Sequence, residues 1–202
     1  FESFQTGRPR PAHIAVPIDL LASRTRGPWT PAAAAAARKP DEASIAAAAE
    51  RVSTADRPVI CVGGGAVGAA SQVLTLAERL DAPVLSTHAG KGIVPSTHPL
   101  NAGSSLHLGG GQSLLADADV VIAIGTELAW TDSFVERLPI TGDVVRVDVD
   151  ETRFDDRYPA TVGVEGDAAQ ACDAMLRVLG HGPSNRGGGQ ARVQEASLAN
   201  TA

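Results

Sequence analysis

At 202 residues, 44% hydrophobic and 20% charged, the chain carries enough apolar material for one substantial core with a small appendage. A net charge of −6 and scattered basic residues exclude the positive footprint that a nucleic-acid surface needs, so nucleic acid is not an expected partner. No stretch of about 18 apolar residues occurs, so neither a membrane span nor a signal peptide is read.

In chain order, "GRPRPAHIAVPIDLLAS" (7–23) reads as a loop and a strand over 13–16 that has no earlier partner in the sequence. With Phe1 in place of an initiating Met, the chain reads as a piece of something longer. Pro28, Pro31, Ala32 to Ala37 and Pro40 have linker composition. Asp41 stands at an N-cap position, and Ile45, Ala48, Ala49 and Val52 follow at helical spacing. Val59-Ile60-Cys61-Val62 predicts a buried strand, and Val67, Val73, Leu74, Ala77 and Leu80 mark the face of the helix behind it. "APVLSTH" (82–88) completes a βαβ unit, and residues 89–111 read as irregular. A helix over 112–119 leads into "VVIAIG" (120–125), uniformly apolar as buried parallel strands are. Strands follow at 143–150 and 160–166, and Asp167 caps a last helix carrying Ala171, Met175, Val178 and Leu179. The Gly- and Ser-rich tail reads as a linker. Strands alternating with helices predict an α/β fold with a doubly wound parallel sheet. Cys61 and Cys172 fall inside predicted elements and read as small buried hydrophobes, which fits a reducing cytoplasm.

The chemistry of the sequence centres on "RPVICVGGGAVGAA" (57–70). Gly63, Gly65 and Gly68 have the G-x-G-x-x-G spacing that brings a backbone close to a pyrophosphate at a helix N-terminus. A dinucleotide site also needs an acid about 20 positions on, at the end of the second strand, to hold ribose hydroxyls. Here that strand ends Ser86-Thr87-His88, which argues against an NAD-dependent dehydrogenase. The plainer account is that Gly63 to Gly65 turn a strand tightly into a helix. Asp148 and Asp150 end a predicted strand where open α/β sheets hold ligands, with ribose contact or a cap on the following turn as the two readings. Lys91, between Gly90 and Gly92, is read either as a phosphate contact or as a solvated side chain. His88, His98 and His107 fit no short ligand motif, so no metal is expected on this chain. Trp29 and Trp130 are expected to cover apolar surface.

"PAHIAVPIDLL" (11–21), "RPVICVGGGA" (57–66), "LAERLDAPVLST" (76–87), "GKGIVPSTHPLNAG" (90–103), "LLADADVVIAIGTEL" (114–128), "VVRVDVDETRFDDRYPA" (144–160) and "VEGDA" (164–168) occur in one order. In that order they resemble the thiamine diphosphate-dependent enzymes of the acetolactate synthase and 2-oxo acid decarboxylase superfamily. The resemblance runs from about residue 7 to residue 179 and covers that family's central domain. It implies a six-stranded Rossmann-like, nucleotide-binding fold whose glycine loop lies at the mouth of a cleft that holds FAD, ADP or a CoA nucleotide in some members and nothing in many. With the readings above, the candidate cofactor-binding residues at such a cleft are Gly63, Gly64, Gly65, Lys91, Gly125, Thr126, Asp148 and Asp150.

Flavin-binding members carry an Arg-Phe-Asp type segment where this chain has Gly125-Thr126-Glu127-Leu128-Ala129-Trp130-Thr131-Asp132. Glu127 opposes a pyrophosphate, so FAD is disfavoured, and an adenine nucleotide such as ADP ranks above it without being expected as a resident group. The "GTEL…TD" pattern resembles the decarboxylase-like branch, which includes enzymes acting on 5-guanidino-2-oxopentanoate. Thiamine chemistry requires a glutamate for the aminopyrimidine and a Gly-Asp-Gly…Asn segment for Mg²⁺, and neither is present. The family carries them in its other domains. Thiamine diphosphate and Mg are therefore expected in a full-length parent, with no catalytic residue here and this chain inactive alone. The implied division is 1–24 as the end of a pyrimidine-binding domain, 25–40 as linker, 41–180 as the central domain and 181–202 as flexible linker. The implied partners are the remaining domains of the same polypeptide and further copies in a homo-oligomer. The alternative kept open is an independent FAD or adenine-nucleotide module; a sirtuin-like deacylase is disfavoured, because it would want four zinc-binding cysteines and the chain has two.

Overall fold

The structure, a computed structural model, describes residues 7–31, 33, 36–180 and 188–200 and divides into two compact units, Phe1–Ala37 and Arg38–Ala202. In the first unit the strand expected at 13–16 is not formed. Its described residues contain no strand to pair with, and a strand without a neighbour leaves its backbone groups unbonded; the regular element is a single turn, α1 (Ile18–Leu21). The linker expectation falls in part on residues 32, 34 and 35, and that for the tail on 181–187, 201 and 202, which lie outside the described residues.

The second unit starts by docking on its own last strand. The Asp167 amide donates to the Arg38 carbonyl at 2.8 Å, and the Arg38 guanidinium pairs with Glu165. Asp41 then caps α2 (Glu42–Ser53), its carboxylate accepting from the Ser44 amide at 2.9 Å, and Ile45, Ala48, Ala49 and Val52 are the buried positions, as their spacing requires. β1 (Pro58–Val62) is buried throughout and runs through a 3₁₀ turn at 64–69 into α3 (Ala70–Leu80), which buries Val73, Leu76, Ala77 and Leu80. After them come β2 (Val84–Ser86), β3 (Asn101–Gly103), α4 (Gly109–Ala116) and β4 (Val120–Ile124). The chain closes with α5 (Trp130–Ser133), β5 (Asp143–Asp148), β6 (Val162–Glu165), α6 (Ala168–Leu179) and α7 (Gly189–Ala199).

The six strands form one all-parallel sheet in the order β3-β2-β1-β4-β5-β6, with Ile60 opposite Val84 on one side and Ile122 on the other. Alternation along the strands feeds two cores. Ile60, Val62, Ile122, Ile124, Val145 and Val147 pack with the buried residues of α2, α3 and α6, while Val59, Cys61, Leu85, Val121 and Ala123 pack with Leu114, Leu115, Leu128, Leu138 and Ala196. Strand order reverses between β1 and β4, so the loops leaving their C-terminal ends part there and open the crevice in which doubly wound sheets hold ligands.

In the second unit β3, α4 and α7 depart most from the sequence reading. β3 is a three-residue edge strand inside a stretch read as irregular. α4 occupies 109–116 rather than 112–119, because Gly110 and Gly111 start it under close packing: a Cβ on Gly110 would lie 2.0 Å from the Ala196 carbonyl oxygen. The tail contains α7, a docked helix, where a linker was expected. Arg192, 5% exposed, holds it by donating from Nη1 to the Pro58 carbonyl at 2.9 Å, and Asn200 Oδ1 accepts the Gly110 amide at 2.8 Å. Burial, and then the nearby Arg57, pull the Arg192 pKa below its ordinary value. Replacing Arg192 with Ala should lower the free energy of local opening of α7 by about 2 kcal/mol, the scale of a charged hydrogen bond. Hydrogen exchange at 189–199 measures this; unchanged protection there would mean that apolar packing alone holds the helix.

Candidate functional site

The site is built where β1 and β4 end side by side. The Gly63 amide donates to the Ile124 carbonyl and the Gly65 amide to the Gly125 carbonyl, both at 3.0 Å, and the Ala66 amide returns to Gly63. The two loops therefore lie backbone on backbone. A Cβ on Gly63 would sit 2.5 Å from the Gly125 oxygen, and one on Gly125 2.5 Å from the Gly65 carbonyl carbon. Gly125 also takes φ +58°, a left-handed conformation that glycine adopts without a steric cost. Gly68 has no atom within 4 Å of such a Cβ. The first two glycines of the motif are thus required by loop packing, and the amides of Gly63, Gly65 and Ala66 are already donated within the protein.

The structure brings Gly63, Gly64, Gly65, Gly125 and Thr126 together but not all of the other expected residues. Lys91 is exposed beside a separate cavity of about 250 Å³ that Val62, Ser86, Asn101 and Ser104 also line. Asp148 ends β5, is 3% exposed, and accepts the Asp150 amide at 3.1 Å. Asp150 lies beyond the strand, not at its end, and caps the next turn, accepting from the Thr152 amide at 3.1 Å and hydroxyl at 2.6 Å. Both aspartates thus make the cap contacts that were the alternative to ribose binding. Cys61 and Cys172 are buried and free, and burial pushes both thiols up to about 12, far from a reactive thiolate.

Sequence reasoning missed two features. Arg146, on β5 and 1% exposed, donates from Nη1 to Asp156 Oδ1 at 2.5 Å and to the Tyr158 carbonyl at 3.2 Å, and from Nη2 to the Thr126 carbonyl at 3.0 Å. It ties the loop after β4 to the loop before β6. An arginine in the middle of "VVRVDV", a strand buried on both faces, was the available signal. The second is a rim of rings. Trp130 and Phe134, 52% and 57% exposed, meet edge to face at 5.5 Å, and Phe134 lies 6.5 Å from His88 and 6.3 Å from His107. Trp130 does not cover apolar surface as expected, because α5 is one turn closed by the Phe134 amide on the Trp130 carbonyl and it projects its rings from the sheet edge. Trp29, 75% exposed, does not do so either. Asp132 accepts the His88 amide at 3.1 Å and stands 3.3 Å from His88 Nδ1.

Among the described residues no group of three or more His, Cys, Asp or Glu comes together to hold a metal ion, and no helix is long and apolar enough to cross a membrane.

The family profile described as "Thiamine pyrophosphate enzyme, central domain" matches residues 45–175. The chain is 45% identical over 178 residues to the "Probable 2-ketoarginine decarboxylase" of Pseudomonas aeruginosa, covering 86% of this chain and 31% of that protein. It is 31% identical to the acetolactate synthase isozyme 1 large subunit of Escherichia coli over 189 residues, 89% of this chain and 33% of that one. It thus spans about a third of the length of these relatives. In fold it is similar to benzoylformate decarboxylase from Polynucleobacter necessarius, with a TM-score of 0.66 at 19% identity over 85% of this chain and 33% of that one.

Proposed function

Because the chain belongs to the thiamine pyrophosphate enzyme family as its central domain, we propose that it serves a longer thiamine diphosphate- and Mg²⁺-dependent decarboxylase, whose substrate is a 2-oxo acid of the 2-ketoarginine type. The observation that carries this reading is the 45% identity to a relative named for that reaction, over 86% of the chain. The similarities reported do not support an independent flavin module. Residues 1–24 are read as the end of a preceding domain and 25–40 as linker; the other domains of the polypeptide supply the thiamine and Mg²⁺ sites, and the enzyme works in the cytoplasm as a homo-oligomer.

In this reading the chain supplies no catalytic residue. Its sheet presents the loops at 63–66 and 125–134 as one rigid edge, held by backbone pairing and by Arg146. Bound by the other domains, thiamine diphosphate would supply the electron sink that decarboxylation of a 2-oxo acid needs. The test is to load the full-length enzyme with thiamine diphosphate and Mg²⁺ and assay CO₂ release from 5-guanidino-2-oxopentanoate. Turnover is expected, and its absence would overturn the reading.

The isolated chain should give no binding heat with thiamine diphosphate and Mg²⁺, since this reading assigns both sites to the other domains of the polypeptide. Gly63, Gly65 and Ala66 donate their amides within the protein, so ADP and FAD should leave its melting temperature within about 1 °C at ligand concentrations where a tight site would add several kcal/mol. Calorimetry and thermal melts check both. Micromolar binding of the thiamine cofactor, or a yellow protein as purified, would contradict the assignment, and any residual affinity should favour ADP over FAD.

A further inference from the structure

We propose that the ring cluster of His88, His107, Trp130 and Phe134, with Asp132 among them, is a subsite for the planar cation of a guanidinium-bearing 2-oxo acid. The inference rests on the decarboxylase reading and assigns the recognition of that substrate's far end to this chain.

The cluster is unusual for this sequence, which has two Trp, four Phe and one Tyr in all. Two of those seven stand adjacent and more than half exposed on a loop at the C-terminal edge of the sheet, where binding is expected in this architecture. Phe134 meets Trp130, His88 and His107 edge to face, and Trp130 and Phe134 each keep more than half of their surface exposed. The His88 and His107 rings lie nearly parallel, at 16° with centroids 6.5 Å apart, and both stand steeply to Phe134, at 67° and 80°. The four rings come from the loops after β2, before α4 and after β4, so the tertiary fold assembles them.

Asp132 decides what they would bind. Its side chain is only 17% exposed, is oriented by the His88 amide, and belongs to a carboxylate two residues from each of the exposed rings Trp130 and Phe134. A carboxylate opposes a phosphate or a substrate carboxylate. It gains nothing from a neutral apolar group. Open π faces beside a carboxylate suit a delocalised planar cation, which stacks on indole and donates to oxygen. A metal ion would need three convergent ligands, which the described residues do not offer.

Two measurements test the proposal. In the chain with Trp29→Phe, leaving one indole, 4-guanidinobutanoate should shift the Trp130 indole and Phe134 ring resonances saturably, and hexanoate should not; no saturable shift, or equal shifts, would overturn the subsite. In the loaded full-length enzyme, Trp130→Ala and Asp132→Asn should lower the ratio of kcat/KM for 5-guanidino-2-oxopentanoate to that for 2-oxohexanoate about tenfold, while Trp130→Phe keeps most of it. An unchanged ratio would overturn the proposal. If the wild-type enzyme turns over neither acid, the decarboxylase reading has failed, and the resonance titration alone then decides the subsite.

Discussion

Gly125→Ala should destabilise the domain by more than about 4 kcal/mol or prevent its folding, whereas Gly68→Ala, in the same glycine motif region, should change stability by less than about 0.5 kcal/mol. At position 125 two costs add. A side chain at φ +58° is disfavoured by about 1 kcal/mol or more, and the new Cβ would lie 2.5 Å from the Gly65 carbonyl carbon and 2.7 Å from the Ala66 nitrogen. Those neighbours are backbone, so no rotamer change relieves the contact. The loops would have to part, breaking the hydrogen bond from the Gly65 amide to the Gly125 carbonyl. At Gly68 nothing lies within 4 Å, and the exchange trades a flexible residue for a good helix former at the entry to α3. Urea unfolding followed by circular dichroism separates the cases. A Gly125→Ala domain within about 1 kcal/mol of wild type would show that loop packing is not what demands glycine there.

Arg146→Ala should cost about 3 kcal/mol, the low end for breaking a buried ion pair, because Asp156 keeps 22% side-chain exposure and partial hydration when its partner is lost. The Thr126 and Tyr158 carbonyls also lose their donors. For a domain of this size the melting temperature should drop by about 6–12 °C. Arg146→Lys should recover only part of this, since one ammonium on a flexible stem does not reproduce a fork that reaches Asp156, Tyr158 and Thr126 together. Arg146→Met with Asp156→Asn should recover part of the loss as well, because it removes the stranded charge. A fall below about 1 kcal/mol for Arg146→Ala would mean that solvent already reaches the guanidinium. Because Nη2 holds the loop that continues into Trp130 and Phe134, the variant should also speed hydrogen exchange at 126–134.

The sequence by itself determined the order of the main elements, most of their buried positions and the starts of α2 and α6, although Val67 and Val178, read on helix faces, are exposed. Asp41 and Asp167 cap α2 and α6 from the positions their spacing indicated, and the continuous apolar runs at 59–62 and 120–125 are central parallel strands. Those features are local: a cap acts over three residues and a helix face repeats every three or four, so a short window contains the whole cause. Only the tertiary structure decided the rest. β3 is a strand because β2 offers an open edge to Asn101–Gly103, not because three residues of modest propensity choose that state. α7 is a helix on the fold because Arg192 finds the Pro58 carbonyl 134 positions away. The glycine motif, legible as a pattern, left its job ambiguous, since a phosphate and a neighbouring backbone both require the absence of a Cβ; the approach of Gly125 resolved it. The ring rim was invisible for the same reason. Its members lie at 88, 107, 130 and 134; Trp130 and Phe134 share one turn, but no periodicity links them to His88 and His107, which parallel strands deliver to the same edge on other loops.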